Sequence, residues 1–492
     1  MNYIAVDIGT TSIKGMLYQE NGIVLSKASL NTKTYSIAEN KEQNPFEIFD
    51  AVCKIIAKLA HHSCTEKIGF VSFSCYMHSL MAVDKNGEPL THCMLWSDNR
   101  SAKISERYRK NGVGLSLYKK TGTPIHPMSP FYKILWLKEN DKALFDQTCK
   151  FISMKEFLFF KFFNQFAVDY SIASATGLFN IFSLDWDNEA LNILGLSKNN
   201  FSSIHDATFY FDNLNVKLCE ILGVSTDTKF VLGASDGCCA NLGSNGIHKT
   251  GGVISIGTSA AVRITTKKPV IDADGRTFSY VLKKGLYVSG GASNNGGNIF
   301  AWYQKSFGNI SSIDDELSKT NTGANGLLFL PYLNGERAPY WNPFIRGAFF
   351  GVSDNHSKLD FLRAAIEGSC FIIRDMCANF SDAISEFYVN GGFVQSKKWV
   401  EILSSVLNKK LVIAETYEAA CLGAFFIGLL ACNKIQDFSG IEKLIKTQTE
   451  VFPNEKDVVV YDDIFSVYQK SVCKVQEISN LLEARRFLCL NN

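Results

Sequence analysis

Two stretches far apart in the chain follow one pattern. "IAVDIGTTSIKGMLY" (Ile4–Tyr18) and "VISIGTSAAVRI" (Val253–Ile264) each run from an apolar segment through a Gly-Thr turn into a second apolar segment. Their surroundings are alike too. In the first half "YIAVDI" and "IKGMLY" are followed, after Asn21-Gly22, by "IVLSKASL", "NPFEIFDAVCKIIAKLAHH" and "KIGFVSFSC". Short apolar runs bounded by turn residues read as strands covered on both faces. Asn-Gly signals a hairpin because both residues tolerate positive φ. Asn44 can cap a helix that Pro45 opens, with Phe46, Phe49, Val52, Ile56 and Leu59 on one face. The order is strand, strand, strand, helix, strand. In the second half "GGVISIG", "AAVRITT", "GLYVSGG", a helix from "NNGGNIFAWYQKSFG" and "GLLFLPY" repeat it. Such a duplication predicts an α/β fold of two like domains facing across a cleft.

Length agrees. At 492 residues the chain exceeds one ordinary core, and two domains of about 200–250 residues are its natural division. The glycine-rich polar stretch "GSNGIHKTGG" (Gly243–Gly252) marks the boundary. The expected division is residues 1–246, residues 247–458 and a helical, peripheral tail over 459–492.

Composition removes several classes of function. With 46% apolar and 20% charged residues the chain can bury a large interior. A net charge of +2 offers no broad footprint for nucleic acid. The 14 cysteines are scattered without a C-x-x-C pair, which fits a reducing, cytoplasmic compartment. "CLGAFFIGLLAC" (Cys421–Cys432) is shorter than the roughly 20 residues a bilayer requires, and reads as a buried helix packed closely at its glycines. The sequence enters a strand at once without a basic, then apolar, then small-residue run, so no leader is expected. The expected partners are small molecules, with neither nucleic acid nor membrane, and a homodimer stays open.

A tight turn exposes backbone N–H groups that can hold phosphate oxygens without a lysine, and threonine hydroxyls add donors. Gly9, Thr10 and Thr11 fit that role, and Gly257, Thr258 and Ser259 can form a second such turn. A carboxylate beside phosphates would repel them unless a Mg²⁺ ion intervened, which assigns Asp7 to a metal. Lys14 could reach a terminal phosphate. An ordinary capped hairpin is the alternative reading of "DIGTT". No G-x-x-x-x-G-K-[ST] loop, complete G-x-G-x-x-G or H-E-x-x-H motif occurs. In "VLGASDGCCANLG", Asp236 follows a short apolar strand. It can act as a base toward a hydroxyl, or merely cap a turn.

Together these residues resemble the FGGY family of carbohydrate kinases, over about Tyr3 to Ala431. "MSPFYKILWLKEN" (Met128–Asn140) and "GAFFGVSDNHSKLDFLRAAIEG" (Gly347–Gly368) are similar to its two signatures. "GASDG" (Gly233–Gly237) and "NGGFVQS" (Asn390–Ser396) resemble its catalytic-aspartate and nucleotide-side segments. The resemblance implies two actin-like (ribonuclease H-like) ATPase domains, with ATP and Mg²⁺ as cofactors and phosphorylation of a sugar or polyol hydroxyl. It implies Asp236 as catalytic base and Asp7 as the Mg²⁺ residue. Thr10, Thr11 and Lys14 would take the first phosphate turn, Gly257 and Thr258 the second, and Gly391, Gly392, Ser396 and Gly297 the adenosine side. "MHSLMAVDKNGEPL", "WSDNRS", "TGTPIHPMSP" and "NGERAPYWNP" resemble the family's gluconate branch, with Ser97 where that branch usually has alanine. The implied reaction is D-gluconate plus ATP to 6-phosphogluconate plus ADP. A pentulose kinase for xylulose or ribulose, and a non-catalytic sugar sensor, are the alternatives.

On the substrate side the resemblance points to Met77, His78, Trp96, Asp98, Arg100, His126 and Met128, with Asp236. His78 can donate to a hydroxyl or be a satisfied buried ring. Trp96 can lie along a sugar face or pack in the core. Asp98 and Arg100 can bind substrate or pair with each other. Arg337 reads as a loop anchor outside the site.

Overall fold

The computed structural model describes residues 1–63, 66–247, 251–378, 380, 384–414, 418–445 and 447–490. Part of the glycine-rich boundary, residues 248–250, lies outside them. The chain forms two compact units that are not contiguous in sequence. The first comprises Met1–Asn245, Thr265–Ser289 and Thr416–Ile445; the second comprises Gly246–Ile264, Gly290–Glu415 and Lys446–Asn492.

The first unit is built on a mixed sheet of β1 (Asn2–Ile8), β2 (Ser12–Gln19), β3 (Val24–Asn31), β4 (Ile68–Cys75), β5 (Tyr210–Phe211) and β6 (Lys229–Ser235), in the order β5-β6-β4-β1-β2-β3. β1 pairs antiparallel with β2 and parallel with β4, and β6 runs parallel to β4. The β2–β3 hairpin turns where Asn21-Gly22 predicts it. Helix α1 (Pro45–His62) begins as expected, with the Asn44 side chain accepting from Phe46 N and Pro45 in the first turn. Its buried face is shifted from the expected one. Ile48, Val52, Ile55, Ile56 and Leu59 enter the core, whereas Phe46 is 41% exposed. Phe46 stays at the helix start, where it meets the edge of Phe157 and the Lys161 ammonium. Each buried aliphatic side chain of that face contributes about 1.5–3 kcal/mol.

Further helices complete this unit. They include α2 (Pro130–Asn140), α3 (Met154–Phe163), α4 (Tyr170–Ser174) and α5 (Asp236–Gly243). The apolar run after Glu418 is the buried helix Ala419–Ala431, and its glycines do set its packing. A Cβ on Gly423 would stand 2.0 Å from Cys239 O, and one on Gly243 2.0 Å from Ala419 O. Among the described residues no helix is long and apolar enough to cross a membrane.

The second unit repeats the first at its sheet. Strands β7 (Gly251–Ile256), β8 (Ala260–Thr266), β9 (Leu286–Ser293), β10 (Glu386–Asn390), β11 (Lys410–Ala414) and β12 (Thr447–Val451) follow the order β9-β8-β7-β10-β11-β12. β7 pairs antiparallel with β8 and parallel with β10, as β1 does with β2 and β4. The parallel partner is therefore Glu386–Asn390. The expected strand in "GLLFLPY" exists, but Leu328–Leu330 pairs with Ala348–Phe350 in a separate two-stranded sheet. Strand Phe278–Lys283 goes unpredicted. Helices α6 (Gly297–Phe307), α7 (Lys358–Cys377), α8 (Lys397–Leu407) and α9 (Glu455–Leu490) flank this sheet. The C-terminal segment is helical as expected but not peripheral. Tyr461 and Tyr468 of α9 are fully buried, Tyr461 donating to Glu367 at 2.9 Å and Tyr468 bonding Tyr332 at 2.6 Å.

Candidate active site

Three parallel strands of the first unit end level with one another. Asp7 of β1 is paired in register with Ser74 of β4, and Ala234 and Ser235 of β6 with Ser74 and Cys75. Asp236 follows at once as the first residue of α5. Its Oδ1 accepts from Gly237 N at 2.7 Å, and the helix N-terminus favours its negative charge. β6 reaches this level through a shift in register after Val231, where Gly233 takes φ +66°. A Cβ on Gly233 would lie 1.8 Å from Phe73 O, so only glycine fits.

Asp7 accepts from Ser74 Oγ at 2.6 Å. Burial pushes its carboxyl up to about 7. Ser74 opposes that rise, the charges of Asp236 and Glu418 add to it, and Lys14 works against it. Lys14 faces Asp7 across the β1–β2 hairpin and donates to Glu418 Oε2 at 2.9 Å. Asp7, Asp236 and Glu418 thus form an acidic cluster with one lysine, and a cation would neutralise it. Among the described residues no group of His, Cys, Asp and Glu closes into a metal cage. Mg²⁺ needs none, because it keeps several waters and takes one or two carboxylates with phosphate oxygens. A buried carboxylate at Asp7 with two more acids in its field is a donor set such an ion accepts.

Beside the cluster, the turn at Gly9–Thr11 is fixed from behind. Thr10 O accepts from Thr32 Oγ1 at 2.7 Å and Gln43 Nε2 at 2.8 Å, and Thr11 O accepts from Thr32 N at 3.0 Å. With these carbonyls turned into the protein, Thr10 stays half-buried and Thr11 exposed.

The substrate-side residues divide. His78, at φ +64°, is buried, with Nδ1 donating to Ala175 O at 2.7 Å and Nε2 3.2 Å from Tyr280 Oη. Its carbonyl is held by Lys133 Nζ at 2.7 Å, and the same ammonium donates to Leu95 O at 2.6 Å. Lys133 therefore pins the two loops that carry Met77-His78 and Trp96. Met77 and Trp96 are half-buried. Asp98 and Arg100 realise the ion-pair alternative. Asp98 is fully buried and accepts from Lys41 N, Arg100 N, Nε and Nη2, while Arg100 also binds Glu42. That corrects the expectation for Asp98: its oxygens are taken up by this chain's own N–H groups. His126 Nδ1 accepts from Met128 N at 3.2 Å, closing the proline-rich turn. Met128 is buried at 3% exposure, a core side chain rather than an open contact.

In the second unit the glycine turns converge. Gly297 N donates to Gly257 O at 2.7 Å and Asn298 N to Thr258 O at 3.3 Å. Gly391, at φ +108°, passes so near β7 that a Cβ would lie 2.2 Å from Ile256 O. Gly257, Thr258, Gly391 and Gly392 are all exposed. Ser396 departs from the expectation: it is buried, caps α8 by accepting from Trp399 N at 3.1 Å, and donates to Asp314. Arg337 does anchor its loop, donating to Ser293 O at 3.0 Å.

Two family models cover the chain in sequence. The N-terminal domain of the FGGY family of carbohydrate kinases matches residues 2–243, and its C-terminal domain residues 252–432. The chain belongs to the FGGY family of carbohydrate kinases. Its two-domain fold is that of FGGY kinases. It is 38% identical over 483 residues to a gluconokinase of Bacillus subtilis (strain 168), covering 94% of each. A gluconate kinase structure from Lactobacillus acidophilus matches with a TM-score of 0.93 at 33% identity, over 97% of this chain and 98% of that one. A ligand-bound xylulose kinase structure from Lactobacillus acidophilus matches with the same TM-score and identity, over 98% of each chain. Backbone likeness within the FGGY family therefore does not separate a sugar acid from a pentulose.

Sequence reasoning missed Ser74, Glu418 and Lys133. Ser74 and Glu418 reach the cluster through strand pairing and chain return, which no local spacing announces. Lys133 lies inside the quoted first signature, so a lone lysine in an apolar helix was its available signal.

Proposed function

We propose that this carbohydrate kinase transfers the γ-phosphoryl group of ATP to a primary hydroxyl of D-gluconate, with Asp236 as general base. The observation that carries the reading is the level ending of β1, β4 and β6. It sets Asp236 in one electrostatic cluster with Asp7, beside the Gly9–Thr11 turn. Asp236 takes the hydroxyl proton as the oxygen attacks phosphorus. Thr10 and Thr11 donate to phosphate oxygens, and Lys14, exchanging Glu418 for phosphate, offsets the charge that builds there. Mg²⁺, when bound at Asp7, supplies positive charge against the same oxygens. The second unit offers Gly257, Thr258, Gly297, Gly391 and Gly392 to the nucleotide. The first carries the sugar, with Met77, His78 and Trp96 on loops that Lys133 holds.

What supports gluconate over a pentulose is 38% identity to the Bacillus subtilis gluconokinase, against 33% to the Lactobacillus acidophilus xylulose kinase and 27% to that of Lactococcus lactis. The test is ATP turnover over gluconate, other sugar acids, xylulose, ribulose and glycerol. Turnover on xylulose with none on gluconate overturns the substrate. Asp236→Asn tests the base. Its kcat falls by roughly three orders of magnitude or more while nucleotide still binds; wild-type turnover removes Asp236 from that role.

A further inference from the structure

Beneath the end of β6 lies an ion pair that takes no part in the chemistry above. Lys155 of α3 and Asp169, the residue capping α4, are both 0% exposed, with Nζ 2.7 Å from Oδ2. Taking two charges out of water is costly, and a well-packed apolar pair is often as stable. Their remaining bonds show where this pair is directed. Lys155 Nζ donates to Ala234 O at 2.9 Å. Asp169 Oδ1 accepts from Ser171 N at 2.9 Å, Ile172 N at 3.2 Å and Ser171 Oγ. Ser171 Oγ in turn accepts from Ser235 N at 2.6 Å.

Ala234 O and Ser235 N belong to one peptide group. It is gripped at its carbonyl by Lys155 and at its N–H, through Ser171, by Asp169. The grip falls directly after Gly233, where the register of β6 slips, and directly before Asp236.

We propose that Lys155, Asp169 and Ser171 are positioning residues that fix the 234–235 peptide plane and thereby aim the Asp236 carboxylate. The proposal rests on Asp236 being the base. A proton acceptor must stand within hydrogen-bond reach of the attacking oxygen, so a rotated peptide costs turnover and leaves ground-state binding intact.

The experiment is steady-state kinetics on Ser171→Ala and Lys155→Met in the full chain, per molecule of nucleotide-binding protein, beside Asp236→Asn. The expected result is a fall in kcat of about 10- to 100-fold in both, with KM for sugar and for ATP within about threefold of wild type. Ser171→Ala keeps the ion pair and removes the hydroxyl that joins Asp169 to Ser235, so it stays informative if Lys155→Met does not fold. Wild-type kcat in folded Ser171→Ala, or a rise in both KM values that matches the loss in kcat, overturns the clamp. If Asp236→Asn is inactive in that case, the base stands without the clamp. If Asp236→Asn turns over normally, the reading of the base falls, and the clamp with it.

Discussion

The ammonium of Lys133 lies 2.7 Å from the carbonyl oxygen of His78 and 2.6 Å from that of Leu95, with no exposure to solvent. One buried charge thus ties together two loops from opposite sides of strand Met81–Val83. Burial lowers its pKa to about 7; Asp98 and Cys93 resist that fall and Arg100 adds to it. In the unfolded chain the lysine stays charged up to about pH 10.4. Between those values the unfolded state binds more protons, so the contribution to stability rises with pH across the window. From about pH 7 to about pH 9.5 it is worth roughly 2–3 kcal/mol. Urea unfolding of wild type and Lys133→Met at both pH values checks this. The wild-type curve gains on the variant as pH rises, and parallel curves refute it.

Lys14→Met tests the first phosphate turn. The Lys14–Glu418 pair is partly exposed, so its loss moves stability by less than about 1 kcal/mol. With phosphate as the lysine's partner during turnover, as proposed, KM for ATP is expected to rise about tenfold or more. A lowered melting temperature with unchanged kinetics would make Lys14 structural only.

Glu336 governs the second turn from behind. Its buried carboxylate accepts from Ser293 Oγ, Asn294 N, Asn295 Nδ2 and Arg337 N, and so shapes the loop leading to Gly297. Glu336→Ala frees that loop and, through the Gly297–Gly257 bond, the turn at Thr258. KM for ATP is expected to rise about 5- to 20-fold, with KM for sugar unchanged. Equal rises in both would show general loosening.

Gly423→Ala is expected to destabilise the first unit by about 1–3 kcal/mol or more, since the added methyl meets the backbone at Cys239 and no side chain can move aside. Chemical denaturation measures it, and a change below about 0.5 kcal/mol contradicts the close helix crossing.

What was legible in the sequence follows from range. Both Gly-Thr turns, the hairpin at Asn21-Gly22 and the Asn44 cap depend on neighbours within a few residues. Apolarity does not say which strand pairs with β7: "GLLFLPY" is the more apolar run, yet "EFYVN" is the parallel partner. The Asp98–Arg100 pair is one of two readings open in the sequence, and what fixes it, the Lys41 N–H and the Glu42 carboxylate, arrives by folding. Glu418 lies 404 positions from Lys14 and could not be joined to it by spacing. Ser396 is different. A serine directly before the amphipathic run "KKWVEILSSVL" is a readable cap.

Helix Ala419–Ala431 carries Phe425 onto Tyr18 at 4.4 Å and against Tyr3 and Phe70. During synthesis those three rings emerge from the ribosome long before their cover does. A nascent chain that has reached Asn245 therefore still lacks the cover for these rings, and the first unit cannot complete its core before Phe425 is made.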